Sequence, residues 1–580
     1  MKPIPDAYKK VPMMFRSQLP GRSQLQYLDP GKKKDGDLQD IELWVDEWLD
    51  KSELIPEGKA QDIQTPTYSA KSYTISWRFV TNGGQDDGVL RPVTGANGIP
   101  FYPGSSMKGA FRHACEQLEA AGDEKVPKGT ANRYCGDETD ITPGSLRFLG
   151  AYPTNDWRKH LLDLVHPQQG WQVKTPTTHN KPGGESAYAQ VSLYQPTLRF
   201  AISSPQPLTM EEWEQIWYIW EKAIGFGLGS KVSNGYGQIA TTSYTVLYQT
   251  RLRGQGQASK LIDDTGEFRH NIFRAAIRGH ALRIFGGLTD TKTADFLVDN
   301  LFGGIQTKEP TVGLLGLQFR ELKLKIGLLE SGKFIQPTYK ADGDLVWFLT
   351  RPLTSPEQEQ TLKTLITRLV QFSLVFGGFG KSWRRVDHHT FYQEKNYRKL
   401  IGCHWEWLGE NAKCRNAQAQ ITAPEKLLSF IEKVQQAAKD WILAQNKSVN
   451  PNNWAKEWRE AWHSNNVQVW ARIAEDKEDS VAIPWFHGAY DSEGFSIKKS
   501  SVTGQVGKVT YIGRTWHRMY PIILIKKNSE NPKKPLVKST PQFIEILTIF
   551  PDDSDECLDF IDFLETNPDN FQRVWGDKLA

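Results

Sequence analysis

Between Tyr73 and Val80 the apolar residues Tyr73, Ile75, Trp77 and Phe79 fall at every second position, the period of a half-buried strand. The period then changes. Pro103-Gly104-Ser105-Ser106 supplies a turn and capping hydroxyls, predicting a helix from near Ser106. Met107, Ala110, Phe111, Ala114 and Leu118 share one face of that helix, while Lys108 and Arg112, four apart, share another. A second helix of the same kind has Phe273, Ile277, Ala281 and Ile284 on its apolar face and Arg274, Arg278 and Arg283 as its cations. Thr209 and Thr354 stand as N-caps of two later helices, each with Glu or Gln soon after. Trp213, Trp217 and Trp220 sit at helical spacing and read as core. Further along, Leu427–Ala444 and Trp454–Ile473 read as helices. Lys508–Gly513, Pro521–Lys526 and Phe543–Phe550 read as strands, with Asn528–Lys538 as a surface loop.

These signals recur in register. PFYPGSSMKGAFRHACEQL from Pro100, RYCGDETDITPGSLRFLGA from Arg133 and the helix-glycine run from Pro207 form one series. HNIFRAAIRGHALRIFGGL from His270, NLFGGIQTKEPTVGLLGLQF from Asn300 and the run from Pro352 form a second. Each series is a basic helix, a turn with a Gly-x-Leu strand, and a capped helix entering a glycine loop. The sequence therefore predicts an α+β chain of two tandem units, 1–247 and 248–580, divided near Tyr248. The strand-helix order suggests the split βαβ, ferredoxin-like (RRM-like) plan, with a helical insertion at about 400–480 in the second unit.

Composition narrows the functions available. The 580 residues carry 71 Lys and Arg against 67 Asp and Glu, a formal charge of +4 that excludes a histone-like binder and permits one local basic groove. No stretch approaches the roughly 20 apolar residues of a membrane span, and the amino-terminal residues lack the apolar run of a signal peptide, so no membrane and a cytoplasmic location are expected. Five cysteines without a CxxC pair read as reduced thiols; Cys403-His404 with Cys414 lacks a fourth metal ligand. Gly380-Lys381-Ser382 has Val375 where a Walker loop needs Gly, and Gly225 and Gly227 are followed by Ser230, which breaks the dinucleotide pattern.

What remains is a pair of cationic glycine loops. The first holds Gly225, Gly227, Gly229, Ser230, Lys231, Ser233, Asn234, Gly235 and Gly237. The second holds Gly377, Gly378, Gly380, Lys381, Ser382, Trp383, Arg384 and Arg385. Glycines let a phosphate come close to backbone amides and the cations add charge. Beside the basic helices, such loops suit a sugar-phosphate track, with Trp383 placed to stack on a base.

Ile99–Gly109 (IPFYPGSSMKG) with Arg112 resembles the helix start of the RAMP family, the ferredoxin-like backbone subunits of CRISPR effectors. Gly225–Gly237 (GFGLGSKVSNGYG) is similar to that family's glycine loop, and Leu164-Val165-His166-Pro167 to a stretch in type III-B members. The second half is more divergent, with Phe273–Gly279 (FRAAIRG) in place of the first helix start. A chain with two such units looks like the tandem backbone subunit of a type III-D-like effector. The resemblance implies CRISPR RNA, target RNA and other effector subunits as partners. Implied RNA contacts are Ser105, Ser106, Lys108, Arg112, Gly229, Ser230 and Lys231, then Arg274, Arg278, Arg283, Lys381, Trp383, Arg384 and Arg385.

In cleaving members an acidic residue lies in the loop before the first helix. Here that loop carries Asp86 and Asp87, and the second unit offers Asp263 and Asp264. An aspartate can hold a divalent cation, Mg2+ or Mn2+, while the ribose 2′-hydroxyl attacks in line; this predicts an endoribonuclease acting on target RNA. Two alternatives stand beside it: a structural RNA-binding subunit without a catalytic residue, and a precursor-RNA endonuclease with a histidine-centred site. Asp-Asp-Gly and Asp-Asp-Thr-Gly are also ordinary turn sequences.

Overall fold

The computed structural model describes residues 45, 48–49, 61–81, 83, 85–86, 89–90, 92–95, 98–137, 139–165, 169–174, 188–239, 246–261, 265–304, 311–331, 334–380, 403–408, 421–450, 452–504, 513–526 and 536–578. They fall into two compact units. One lies within Met1–His166, Ala187–Thr245 and Leu261–Thr265, the other within Pro167–Ser186, Val246–Lys260 and Gly266–Ala580. Antiparallel sheets and helices make both units mixed α+β.

In the first unit, β1 (Tyr68–Thr74), α1 (Gly104–Ala121), β2 (Arg147–Pro153), β3 (Thr197–Ser203) and α2 (Met210–Gly225) follow one another. The sheet order is Ile63–Gln64, β1, β3, β2, all antiparallel. Strand alternation places Leu198, Phe200 and Ile202 in the core, where Met107 and Phe111 of α1 and Trp213, Trp217 and Trp220 of α2 meet them. Helix α2 starts in a reciprocal cap: Thr209 Oγ1 accepts from the Glu212 N–H at 3.2 Å, and Glu212 Oε2 accepts from the Thr209 N–H at 2.9 Å. The predicted strand Tyr73–Val80 is two pieces, because β1 ends at Thr74 and Arg78–Phe79 pairs with Leu193–Tyr194 in a separate ladder.

In the second unit, β4 (Val246–Gln257), α3 (Asn271–Gly286), α4 (Thr291–Phe302), β5 (Leu315–Ser331), β6 (Phe334–Leu349), α5 (Pro356–Phe376) and β7 (Cys403–Trp407) come first. Their sheet order is β5, β6, β4, β7. Ser355, rather than Thr354, caps α5: its side chain accepts from the Gln358 N–H at 3.2 Å, while Thr354 donates its hydroxyl to Gln358 Oε1 at 2.8 Å. Pro356 follows as the first helical residue, which suits a residue without an N–H.

The carboxy-terminal third corrects the sequence reading. After α6 (Glu425–Ala444), Trp454–Ile473 is not a helix: the chain runs through turns to Asn466 and enters β8 (Gln468–Ala474). The short polar run His463-Ser464-Asn465-Asn466 ends the helical pattern. With α7 (Ala482–His487), β9 (Thr515–Lys526), β10 (Leu536–Ile549), α8 (Asp555–Thr566) and β11 (Gln572–Trp575), β8 builds a further sheet in the order β9, β10, β8, β11. These strands do not complete the β4–β7 sheet; they repeat its order as a sheet of their own. Trp462 stacks at 5.5 Å on both Trp516 and Trp575 of this sheet and meets Phe372 of α5 edge-on at 4.8 Å. Beside it, fully buried Arg283 donates to Glu460 Oε2 at 2.9 and 2.6 Å.

Glu545, in the centre of β10, is also fully buried. It accepts from Ser480 Oγ at 2.6 Å, Ala482 N–H at 3.0 Å and Val481 N–H at 3.1 Å, and it contacts His517 Nε2 at 2.9 Å and Arg472 Nη1 at 3.0 Å. Burial alone would raise its pKa; the bonds from His517, Ser480 and the backbone outweigh that and hold it down at about 2. A depressed carboxylate contributes stability above its unfolded pKa of about 4.3, and that contribution fades as pH falls toward 2. Glu545→Ala, which strands His517 and Arg472, is expected to cost about 3–5 kcal/mol in denaturant unfolding at pH 7. Between pH 6 and pH 3 the wild type should lose more of its melting temperature than Glu545→Gln does.

Candidate nucleic-acid interface

Helix α1 begins at Pro103, whose extended φ of −64° and ψ of 143° lead straight into the first turn. No side chain caps that turn and no acid lies in it, so its field stays positive toward solvent. Ser105, Ser106 and Lys108 are exposed there. Arg112 is committed inward instead: it donates to Glu116 Oε1 at 2.9 Å, to the Gly136 carbonyl at 2.9 Å and to Asn132 Oδ1 at 3.3 Å. Its role in this unit is to clamp the Gly136 turn onto α1.

The first glycine loop is a folded turn whose own carbonyls and those of a strand use most of its amides. Ser230 N–H donates to Val80 O at 2.8 Å, Gly237 N–H to Arg78 O at 2.7 Å and Leu228 N–H to Gly237 O at 3.0 Å. Gly229 and Gly237 have φ of +76° and +64°, and a Cβ on Gly237 would stand 1.9 Å from Leu228 O. Leu228, between two glycines, is buried and plugs the loop into the core. Lys231 also has positive φ, +60°, and its Nζ donates to Gln190 Oε1 at 2.6 Å.

Gln190 joins this loop to the acidic hairpin. It lies on the strand Tyr188–Val191, which pairs in parallel with Val89–Leu90 and antiparallel with Leu162–Val165. Val89–Leu90 in turn pairs with Gln85–Asp86, with Asp86 opposite Val89. Asp86 thus occupies an edge strand one hairpin away from Gln190. Asp87, which the sequence places in the two-residue connection, lies outside the described residues. So do Asp263 and Asp264.

The second unit treats its copy differently. Helix α3 has α4 against one side and 454–462 against another: a Cβ on Gly286 would meet Trp458 at 2.6 Å, and one on Gly287 would meet Trp462 O at 2.0 Å. Its arginines therefore turn to protein partners. Arg274 Nη2 donates to Phe302 O, Arg278 Nη2 to Asp299 Oδ1 at 3.4 Å, and Arg283 to Glu460. The expectation that Arg283 contacts RNA is wrong; it has no exposed surface. The second loop repeats the plug, with Phe379 buried between Gly378 and Gly380 and its carbonyl accepting from Trp405 Nε1 at 2.7 Å. Lys381, Trp383, Arg384 and Arg385, which follow, lie outside the described residues.

Several positioning residues escaped the sequence reading. Arg78, fully buried beneath the loop, donates to His160 O at 2.8 Å and Ser192 Oγ at 2.7 Å. Gln190 carried no local signal. The signal that marks the plugs is an apolar residue between two glycines, as at Leu228 and Phe379. Among the thiols, burial pushes Cys115 and Cys557 up to about 12 and Cys135 to about 11, so none is a thiolate near neutral pH. His270, at the start of α3, is buried with Nε2 2.6 Å from Glu321 Oε1.

The model of the RAMP superfamily matches residues 83–240, about a quarter of the chain, from the acidic hairpin through α1 to the glycine loop. No curated protein matches the chain. Among solved structures, Cmr6 from Pyrococcus furiosus aligns at 17% identity over 31% of this chain and 98% of that one, with a TM-score of 0.20. Among the described residues no helix is long and apolar enough to cross a membrane.

Two glycine substitutions separate fold from surface. Gly237→Ala is expected to destabilise the first unit by more than about 1 kcal/mol, through steric conflict and positive φ. Gly109, by contrast, has open space around its missing Cβ in mid-helix, so Gly109→Ala should stabilise by about 0.5–1 kcal/mol. Denaturant midpoints of the two variants check both signs.

Proposed function

Because residues 83–240 match the RAMP superfamily, we propose that this chain is a CRISPR RNA-binding backbone subunit of a type III RNA-guided effector. The observation that carries the reading is the joined geometry inside that segment. A glycine loop with Lys231 and a hairpin with Asp86 are linked through Gln190, and the same segment holds an uncapped cationic helix start with Lys108. The helix start suits phosphates, the loop places Lys231, and the hairpin suits the chemistry. The order of strands and helices supports ferredoxin-like modules, three of them rather than two. In the β4–β7 and β8–β11 sheets the chain-order pattern is 4-1-3-2; in the first unit, β1, β3 and β2 follow it and the Ile75–Ile239 bridge stands at the fourth strand's place.

For catalysis the reading assigns Asp86 and Asp87, with Asp263 and Asp264, which precede α3 in the sequence, as their counterparts. Adjacent carboxylates on a hairpin are hard oxygen donors of the kind Mg2+ or Mn2+ takes with water completing the shell. Bound there, the cation would supply charge stabilisation for the phosphorane formed when a 2′-hydroxyl attacks. Lys108 and the α1 amides would hold the strand by its phosphates.

Single Asp86→Ala and Asp87→Ala variants, assayed on target RNA at matched guide loading, are expected to leave binding intact; at least one should slow cutting at one position by about 10²-fold or more. Full cutting by both would leave the structural, non-catalytic subunit as the better reading. Lys108→Gln is expected to weaken guide RNA uniformly across sequences and to shorten its salt dependence. Gly109→Ala, stabilising by itself, should also weaken that binding if a backbone strand passes over the open side of α1.

A further inference from the structure

The helix-free face of the β4–β7 sheet carries a ladder of charge that neither helix nor loop chemistry explains. Register puts Arg320, Asp344 and Arg251 in one row across β5, β6 and β4, and Lys323, Asp342 and Arg253 in the next. In both rows the central acid is paired: Arg251 Nε donates to Asp344 Oδ1 at 2.8 Å and Arg253 Nε to Asp342 Oδ1 at 3.0 Å. The third row breaks the pattern. It reads Lys325, Lys340 and Gln255, so a lysine stands where the column above has aspartates. Lys325 and Lys340 are directly opposite, an arrangement that repels. Both are exposed, as is Lys323, and none of the three forms an ion pair among the described residues.

We propose that this sheet face is a second seat for RNA, holding one strand by its sugar-phosphate backbone. The inference rests on the reading of the chain as an RNA-binding subunit and extends it to a surface outside the matched segment. Six cations stand against two acids across β5, β6 and β4, and against three with Glu406 of β7, opposite Arg253, so a polyanion is the complementary occupant. Successive cations on one strand are about 6.7 Å apart and those on neighbouring strands about 4.8 Å, spacings that follow a phosphate backbone. The rows contain no aromatic side chain, so bases are not stacked on the face. The strand is gripped without regard to sequence, and its bases are left to pair elsewhere. Beyond the third row Gly327, Thr338 and Gln257 leave the surface low and polar, giving the strand an exit without charge.

The test uses the full chain and a fluorescent unstructured oligouridine of about 20 nucleotides, titrated from low to high salt. Lys325→Gln/Lys340→Gln is expected to bind roughly tenfold more weakly near 0.15 M salt, with a salt slope shallower by about 1.4, and to melt as the wild type does. Lys325→Arg/Lys340→Arg should restore both. Unchanged affinity and slope in the Gln variant, with Lys108→Gln still weakened, would overturn the sheet-face seat and leave the RNA-binding reading standing. Absence of salt-dependent binding by the wild type would instead bring down that reading and this one with it. Displacement of the RNA by polyglutamate at matched charge, as effective as displacement by unlabelled RNA, would overturn the proposal in favour of an acidic protein surface.

Discussion

The first unit's candidate site depends on how closely one turn can approach one strand. Val80 and Arg78 offer carbonyls to Ser230 and Gly237, and the turn can reach them only because Gly229 and Gly237 have no Cβ. That approach seats Leu228 in the core, and the buried plug in turn fixes where Lys231 emerges. Lys231 then meets Gln190, whose strand is the partner of the hairpin strand Val89–Leu90. The glycines therefore do not act by cradling phosphate with free amides. Most of those amides are satisfied internally, and what the loop supplies is placement.

The helices α1 and α3 put their cationic sides to different uses. In α1 the cationic side stays open and Lys108 reaches solvent. In α3 the same side is covered by α4 and by Trp458 and Trp462, so cations kept there had to find acids. Arg283 and Glu460 are the result: two fully buried charges whose mutual bonds offset part of a desolvation cost of several kcal/mol per ion. A buried pair of this kind contributes little net stability, but it penalises any packing that separates its members. It thus ties the chain after α6 to α3 in one arrangement.

Local pattern was a good guide where one face of an element meets one core. The apolar stripe of α1, the tryptophans of α2 and the reciprocal cap at Thr209 follow from spacing alone. The glycine loops were visible as repeats. Three things were not. Trp454–Ile473 imitates a helix because its tryptophans and charges fall at helical intervals, although Trp458 and Trp462 are buried by contact with distant elements. The strands of the last sheet carry no sequence signal that separates them from the strands before, so they read as the end of the same unit. And a cation's sign does not tell whether it faces solvent or a partner, so the full burial of Arg283 leaves no trace in the sequence.

That last ambiguity has a physical resolution. An arginine within a helix that is covered on both sides must be paired, because an isolated buried charge is too costly to keep. A lysine on an open sheet face need not be paired, and two lysines directly opposite are tolerated only at a cost in repulsion. In the β4–β6 ladder the acids at 344 and 342 show how easily this column accommodates a neutralising residue. Lys340 in the same column, opposite Lys325, is therefore the position where neutralisation has been left to something outside the chain. By this criterion Lys108 at the start of α1 and the Lys325–Lys340 row are, among the described residues, cations available to an anionic ligand. Arg112, Arg274, Arg278 and Arg283 instead bond to protein groups.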